Sequence, residues 1–198
     1  LYQVWRGLLR IANSLFEDNA EYGYGMFTAS STLKMRLLKR MKQLIEENNS
    51  NKELLEEYID HMDDYEVTKR IYDTLDYSSL PDDVNVLKDY LPARVHWAIG
   101  GDGWAYDIGF SGIDHVLASN DDINILVLDS QVYSNTGGQS SKATPKGAIA
   151  SFASSGKQTS KKDLARIALT YPNAYVATVS LGFNGMQLVK AFKEAAAH

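Results

Sequence analysis

Two short apolar runs constrain this chain more than anything else in it. Arg-Val-His-Trp-Ala-Ile-Gly at 94–100 and Ile-Asn-Ile-Leu-Val-Leu-Asp at 123–129 are rich in aliphatic and aromatic residues and run into glycines or polar residues, so both read as strands. The near-continuous apolarity of the second fits a strand covered on both faces. A helical pattern at 106–119 lies between them. A third strand is expected at 174–180, with helices at 160–170 and 184–197. This alternation of strands and helices implies an α/β fold, a parallel sheet flanked by helices and joined by right-handed crossovers.

In such sheets ligands bind beyond the carboxyl ends of the strands, so the residues after each run matter most. The first run is followed by Gly101-Asp102-Gly103-Trp104, the second by Ser130-Gln131-Val132-Tyr133-Ser134-Asn135-Thr136-Gly137-Gly138. Gly101-Asp102-Gly103 opens a helix, where backbone N–H groups favour an anion such as a diphosphate. A carboxylate there would repel that anion unless a hard divalent cation such as Mg²⁺ lay between them. Taken alone, the tripeptide reads better as a plain turn. The second loop adds what a metal shell needs: a hydroxyl at Ser130 and free carbonyls after it, with no His or Cys required. Asn135 adds an amide that can donate to a phosphate or a substrate carboxylate.

The first half of the chain has a different character. Residues 1–93 hold 11 Lys and Arg against 17 Asp and Glu, residues 94–198 hold 9 against 8, and 11 of the 14 glycines fall in the second part. A helix is expected over 1–15 and a loop or broken helix over 16–28, where Glu17, Asp18 and Asn19 form an acidic trio. Helical spacing returns at 31–45, 54–62 and 67–75, followed by a connector with a short helix at 82–90. The stretch 31–90 therefore reads as an acidic helical insertion in a single domain spanning 1–198. Acidity gives no support to nucleic-acid binding, and no apolar run reaches the roughly 20 residues of a membrane helix. The chain contains no cysteine, which removes disulfides, thiolate catalysis and iron–sulfur ligation by its own residues. His61, His96, His115 and His198 make no pair that spacing identifies. Lys157, Lys161, Lys162 and Arg166 form a basic cluster that reads as a solvated helix start or as a contact for phosphates or an acidic partner.

The longer words around these loops carry a resemblance. Gly-Asp-Gly followed by a polar metal-binding loop is similar to the thiamine diphosphate motif. The runs 101–109, 114–119 and 132–142, together with Asn13-Ser14-Leu15-Phe16-Glu17-Asp18-Asn19-Ala20-Glu21, closely resemble the pyruvate:ferredoxin (flavodoxin) oxidoreductase family. The resemblance covers well over half the chain. It implies the C-terminal thiamine-diphosphate-binding domain of an enzyme that oxidatively decarboxylates pyruvate with coenzyme A to acetyl-CoA and CO₂. Electrons pass through [4Fe–4S] clusters to ferredoxin or flavodoxin.

Carried onto this sequence, the resemblance makes Asp102, Ser130 (where the family usually has Thr) and the carbonyl of Val132 the Mg²⁺ ligands. Gly101, Gly103 and Trp104 cradle the diphosphate, Gln131, Tyr133 and Ser134 complete the cofactor loop, and Asn135 sits by the thiazolium and pyruvate as the catalytic residue. The family's cluster cysteines are absent here, and residues 1–10 do not resemble it, so a truncated or re-engineered piece is expected, inactive by itself. The implied partners are the other domains of a homo-oligomeric parent enzyme in the cytoplasm or an anaerobic organelle. Two alternatives stand beside this reading: a related 2-oxoacid oxidoreductase or nicotinamide-linked fusion, and a noncatalytic fragment that keeps the fold.

Overall fold

The computed structural model describes residues 20–198, and within them the chain forms two compact units. The first comprises 25–96; the second comprises 20–24 and 97–198. The expected helix over 1–15 and the trio Glu17, Asp18 and Asn19 lie outside the described residues.

The first unit is helical. Helix α1 (Ala20–Glu46) runs straight through 20–28, which correct the loop or broken helix expected there. Two glycines raised that expectation, yet a helix accepts each at a cost of about 1 kcal/mol. In this unit α1 presents Leu37, Met41 and Leu44 to the core at helical spacing and ends where Asn48 turns left-handed, at φ 54°. Helices α2 (Lys52–Asp60) and α3 (Tyr65–Thr74) follow within about two residues of their expected bounds, and Asp64 caps α3 by accepting from the Val67 amide at 3.1 Å. The connector carries α4 (Asp82–Asn85) and two short 3₁₀ turns. Leu55, Tyr58, Ile71, Val84 and Leu91 complete the core, where the Tyr58 hydroxyl donates to the Leu91 carbonyl at 2.7 Å.

The second unit mixes helices with short strands. Strands β1 (Trp97–Gly100) and β2 (Asn124–Val127) pair in parallel, Ala98 opposite Ile125. β1 starts three residues later than its apolar run. The helix expected over 106–119 starts at Phe110 as α6 (Phe110–Ser119), and a separate short helix α5 (Asp102–Tyr106) precedes it, the chain turning at Asp107. The Asp107 carboxylate there accepts from the Tyr133 hydroxyl and the Lys142 amide, contacts a helical run would not set up. Val132–Tyr133 (β3) and Gln139–Ser140 (β4) close an antiparallel hairpin within the stretch read as loop.

Helices α7 (Leu164–Ala168) and α8 (Gly185–Ala197) follow, α8 capped by Asn184. The strand expected at 174–180 is not formed. Its β-branched and aromatic residues suit a strand, but a strand exists only against a partner, and none pairs with it among the described residues. The core of this unit gathers Ala20, Ala98, Trp104, Ala105, Tyr106, Ile113 and Ala143.

Candidate functional site

The parallel pairing of β1 with β2 brings the two glycine- and oxygen-rich loops to one edge. The Leu128 amide donates to the Gly100 carbonyl at 2.8 Å, extending the strand pair by one step. The chain beyond Gly100 turns at Gly101 into α5, and the chain beyond Leu128 turns at Ser130. There the Ser130 amide donates to Oδ1 of Asp102 at 3.1 Å, so the two loops meet at the carboxylate.

Asp102 is 3% exposed. Its second oxygen, Oδ2, accepts from the Ser141 hydroxyl at 2.9 Å. Desolvation pushes its carboxyl above the usual carboxylate range; the Ser141 hydrogen bond opposes this, the Asp129 charge adds to it, and the amides of Ser130 and Gln131 oppose it. A buried carboxylate that protein groups only partly compensate is a site a cation would stabilise. Nearby, the Ser130 hydroxyl donates to the Val132 carbonyl at 3.1 Å and lies 3.5 Å from the Ser134 hydroxyl, so oxygens of the loop converge on one point. Carboxylate, hydroxyl and carbonyl oxygens are the donor types that Mg²⁺ prefers, so the chemistry of these residues is compatible with that ion.

The remaining expected residues divide between cradle and rim. A Cβ at Gly101 would meet nothing within 4 Å, whereas one at Gly103 would lie 2.5 Å from Cε1 of Tyr133. Gly101 therefore leaves open space at the start of α5, and Gly103 is the floor on which Tyr133 rests. Trp104 is buried with its indole against Gly100, leaving its backbone as the part nearest the turn. Gln131 holds a left-handed backbone at φ 68°, and Asn135 is exposed in the β3–β4 turn. Asn135 is not brought against Asp102 by any bond of the hairpin.

Sequence reasoning missed a further group. Ser141, Thr144 and Lys157 lie in or beside the buried floor under Asp102, and Tyr106 and Lys161 both bond Asp129, the phenol at 2.9 Å. The Ser140-Ser141-Lys142 end of the family-like run was the available signal, but nothing in its spacing marks Ser141 as a partner 39 positions from Asp102.

The basic cluster is not one open cationic face. Lys157 bonds two carbonyls, Lys161 pairs with Asp129, and Lys162 bonds the Tyr106 carbonyl while covering the Phe110 ring. The histidines have structural contacts: His115 stands edge-on to Tyr24 and His96 to Phe27, the His61 backbone caps α2, and the His198 ring bonds the Asn173 carbonyl. Among the described residues no cluster of three or more His, Asp and Glu could hold a metal, and no helix is long and apolar enough to cross a membrane.

A parallel pair with a Gly-Asp-Gly turn and an oxygen-rich loop at its carboxyl edge defines a cofactor-diphosphate domain. Residues 85–198 match the family model described as thiamine pyrophosphate enzyme, C-terminal TPP binding domain, and the chain belongs to that family. Its relatives narrow the group. It is 45% identical over 196 residues to a pyruvate-flavodoxin oxidoreductase of Klebsiella pneumoniae, covering 94% of this chain and 17% of the relative. It is 45% identical over 199 residues to a pyruvate:ferredoxin oxidoreductase of Moorella thermoacetica, covering 93% of this chain and 17% of the relative. It is also 44% identical over 194 residues to the mitochondrial pyruvate dehydrogenase [NADP(+)] of Euglena gracilis, covering 92% of this chain and 11% of the relative. The chain thus spans about a sixth of the length of the first two relatives.

Proposed function

We propose that this chain is the Mg²⁺- and thiamine-diphosphate-holding part of an enzyme that oxidatively decarboxylates pyruvate with coenzyme A. The products are acetyl-CoA and CO₂, and two electrons leave singly through [4Fe–4S] clusters held elsewhere in the parent to ferredoxin or flavodoxin. The observation that carries the reading is the meeting of Asp102 with the Ser130 loop at the end of the parallel pair.

In this reading Asp102, the Ser130 hydroxyl and the Val132 carbonyl hold Mg²⁺, and the backbone of Gly101, Gly103 and Trp104 faces the diphosphate. Gln131, Tyr133 and Ser134 shape the loop around it, and Tyr133, resting on Gly103 and bonded to Asp107, keeps that loop against α5. The Asn135 amide donates to the pyruvate carboxylate or carbonyl. Bound thiamine diphosphate supplies the carbon nucleophile and electron sink that 2-oxoacid decarboxylation requires. The residues of this chain orient and neutralise; the reacting atoms are completed by other domains.

The two-stranded pair is, in this reading, part of a larger parallel sheet, and 31–90 is an acidic helical insertion in one functional domain. Exposed apolar side chains on 181–186, with Phe183 84% exposed, support burial against the rest of a homo-oligomeric parent. The cytoplasm, or an anaerobic organelle in a eukaryote, is the expected setting.

A second reading, a nicotinamide-linked fusion, is favoured by the Euglena gracilis relative. Pyruvate- and coenzyme A-dependent reduction assayed on the full-length parent separates the two: reduction of ferredoxin or flavodoxin supports the first, reduction of NADP⁺ the second. Absence of either leaves the noncatalytic scaffold.

A further inference from the structure

We infer that Ser141 is a positioning residue for Asp102, held in place by Thr144 and Lys157, and that it sets the preference of the site for Mg²⁺ over larger cations. The inference rests on the Mg²⁺ reading of the Asp102 site.

The directions of the hydrogen bonds are determined by their backbone partners. The Ala143 amide donates to the Ser141 hydroxyl at 3.0 Å, so the Ser141 proton is free for Oδ2 of Asp102 at 2.9 Å. The Ser141 amide donates to the Thr144 hydroxyl at 2.9 Å, and that hydroxyl in turn donates to the Gln131 carbonyl. One four-residue segment thereby grips both loops, Asp102 after β1 and Gln131 after β2. All but Lys142 of its residues are buried, so water does not substitute for these bonds.

Lys157 fastens the segment from below. Its ammonium donates to the carbonyls of Ser141 at 2.6 Å and Thr144 at 2.7 Å, while its backbone exchanges bonds with Gly147 and Ala148 at 2.8 and 2.9 Å. With Ser141 on Oδ2 and the Ser130 amide on Oδ1, the plane of the carboxylate is locked. Oδ1 is the oxygen on the side of the Ser130–Val132 loop, so the carboxylate offers that loop one oxygen rather than two. One-oxygen ligation suits the near-ideal octahedron of Mg²⁺; Ca²⁺ accepts two-oxygen carboxylates and irregular shells. Groups that orient metal ligands in this way change metal affinity by about 10- to 100-fold when removed.

The test is titration of the full 198-residue chain with thiamine diphosphate in Mg²⁺ or in Ca²⁺, comparing the unsubstituted protein with Ser141→Ala, Ser141→Thr and Lys157→Met. Thermal unfolding checks that each variant folds. Ser141→Ala is expected to weaken Mg²⁺-supported binding by at least about tenfold and Ca²⁺-supported binding by clearly less. Ser141→Thr keeps the hydroxyl and the Mg²⁺ preference, and Lys157→Met shifts the preference the same way as Ser141→Ala. Should Ser141→Ala fail to fold, Lys157→Met, altered at a partly exposed position, carries the comparison. An unchanged Mg²⁺ to Ca²⁺ ratio in the folded variants, or an equal loss with both ions, overturns the inference while leaving the site reading intact. Absence of metal-dependent binding by the unsubstituted chain overturns the site reading and this inference with it.

Discussion

The Ser130 amide donates to the Asp102 carboxylate at 3.1 Å across 28 positions of sequence, two short helices and one strand apart. That bond makes a single site of two loops, each of which alone would be an ordinary turn. It also explains why an acid can be buried at the start of α5: the loop amide and the Ser141 hydroxyl together occupy one lone pair on each oxygen.

Asp102→Ala is expected to abolish Mg²⁺-dependent binding of thiamine diphosphate, because Asp102 is the carboxylate that the Ser130 amide bonds. His61→Ala, altered at the end of α2 in the first unit, should bind as the unsubstituted chain does. Calorimetry on both variants checks this; normal binding by Asp102→Ala would remove the metal assignment.

Gly101→Ala and Gly103→Ala should fail differently. The first meets nothing within 4 Å, so folding stability should change by less than about 1 kcal/mol while cofactor affinity falls, since the new methyl fills the cradle. The second puts a methyl 2.5 Å from the Tyr133 ring and should cost about 1–3 kcal/mol by urea unfolding even without cofactor, with the Tyr133 bond to Asp107 disturbed.

Asn51→Ala should destabilise the first unit by about 2–4 kcal/mol. The buried Asn51 amide group donates to the Asp76 carbonyl and the Ser79 hydroxyl, at 3.1 and 2.7 Å, and accepts from the Asp76 amide at 3.1 Å. Its loss removes all three bonds at a part-buried position. Denaturant melts of the variant measure the effect.

Stability of the first unit should fall at alkaline pH through Tyr58. Burial, helped by the Asp63 charge, pushes this phenol well above its ordinary value. A folded-state pKa above the unfolded one means that stability is fully present below the unfolded value near 10 and declines as pH rises above it, by at most about 1.4 kcal/mol per pH unit for this group. Stability measured from pH 8 to 11 should be flat and then fall, and Tyr58→Phe should flatten the fall while lowering stability at neutral pH through the lost bond to Leu91.

The parts of this fold legible in sequence are those decided locally. The apolar runs at 94–100 and 123–129 contain the strands 97–100 and 124–127, although β2 is half-buried rather than covered on both faces, and the helices at 52–60, 65–74 and 185–197 follow their apolar spacing. The pairing of Asp102 with Ser130 was legible as well, since it requires only that helix and strand return the chain to one edge.

What escaped depends on partners distant in sequence. The stretch 20–28 is helical although it carries Gly23 and Gly25; a Cβ on Gly23 would stand 3.3 Å from that of Ala98, a packing relation no local window contains. The segment 174–180 has a strand's pattern and no pairing partner. Ser141 looks like any loop serine until the fold places its hydroxyl on Asp102, and Lys157 reads as a solvated charge until its ammonium is found on two carbonyls.

The most direct test of the account is calorimetric titration of the 198-residue chain with thiamine diphosphate, with and without Mg²⁺. Saturable binding that requires Mg²⁺, at one site per chain, is the predicted result. Binding of equal strength in the presence of a metal chelator, or no binding under either condition, would contradict the assignment of Asp102, Ser130 and Val132 as the metal-holding centre of this domain.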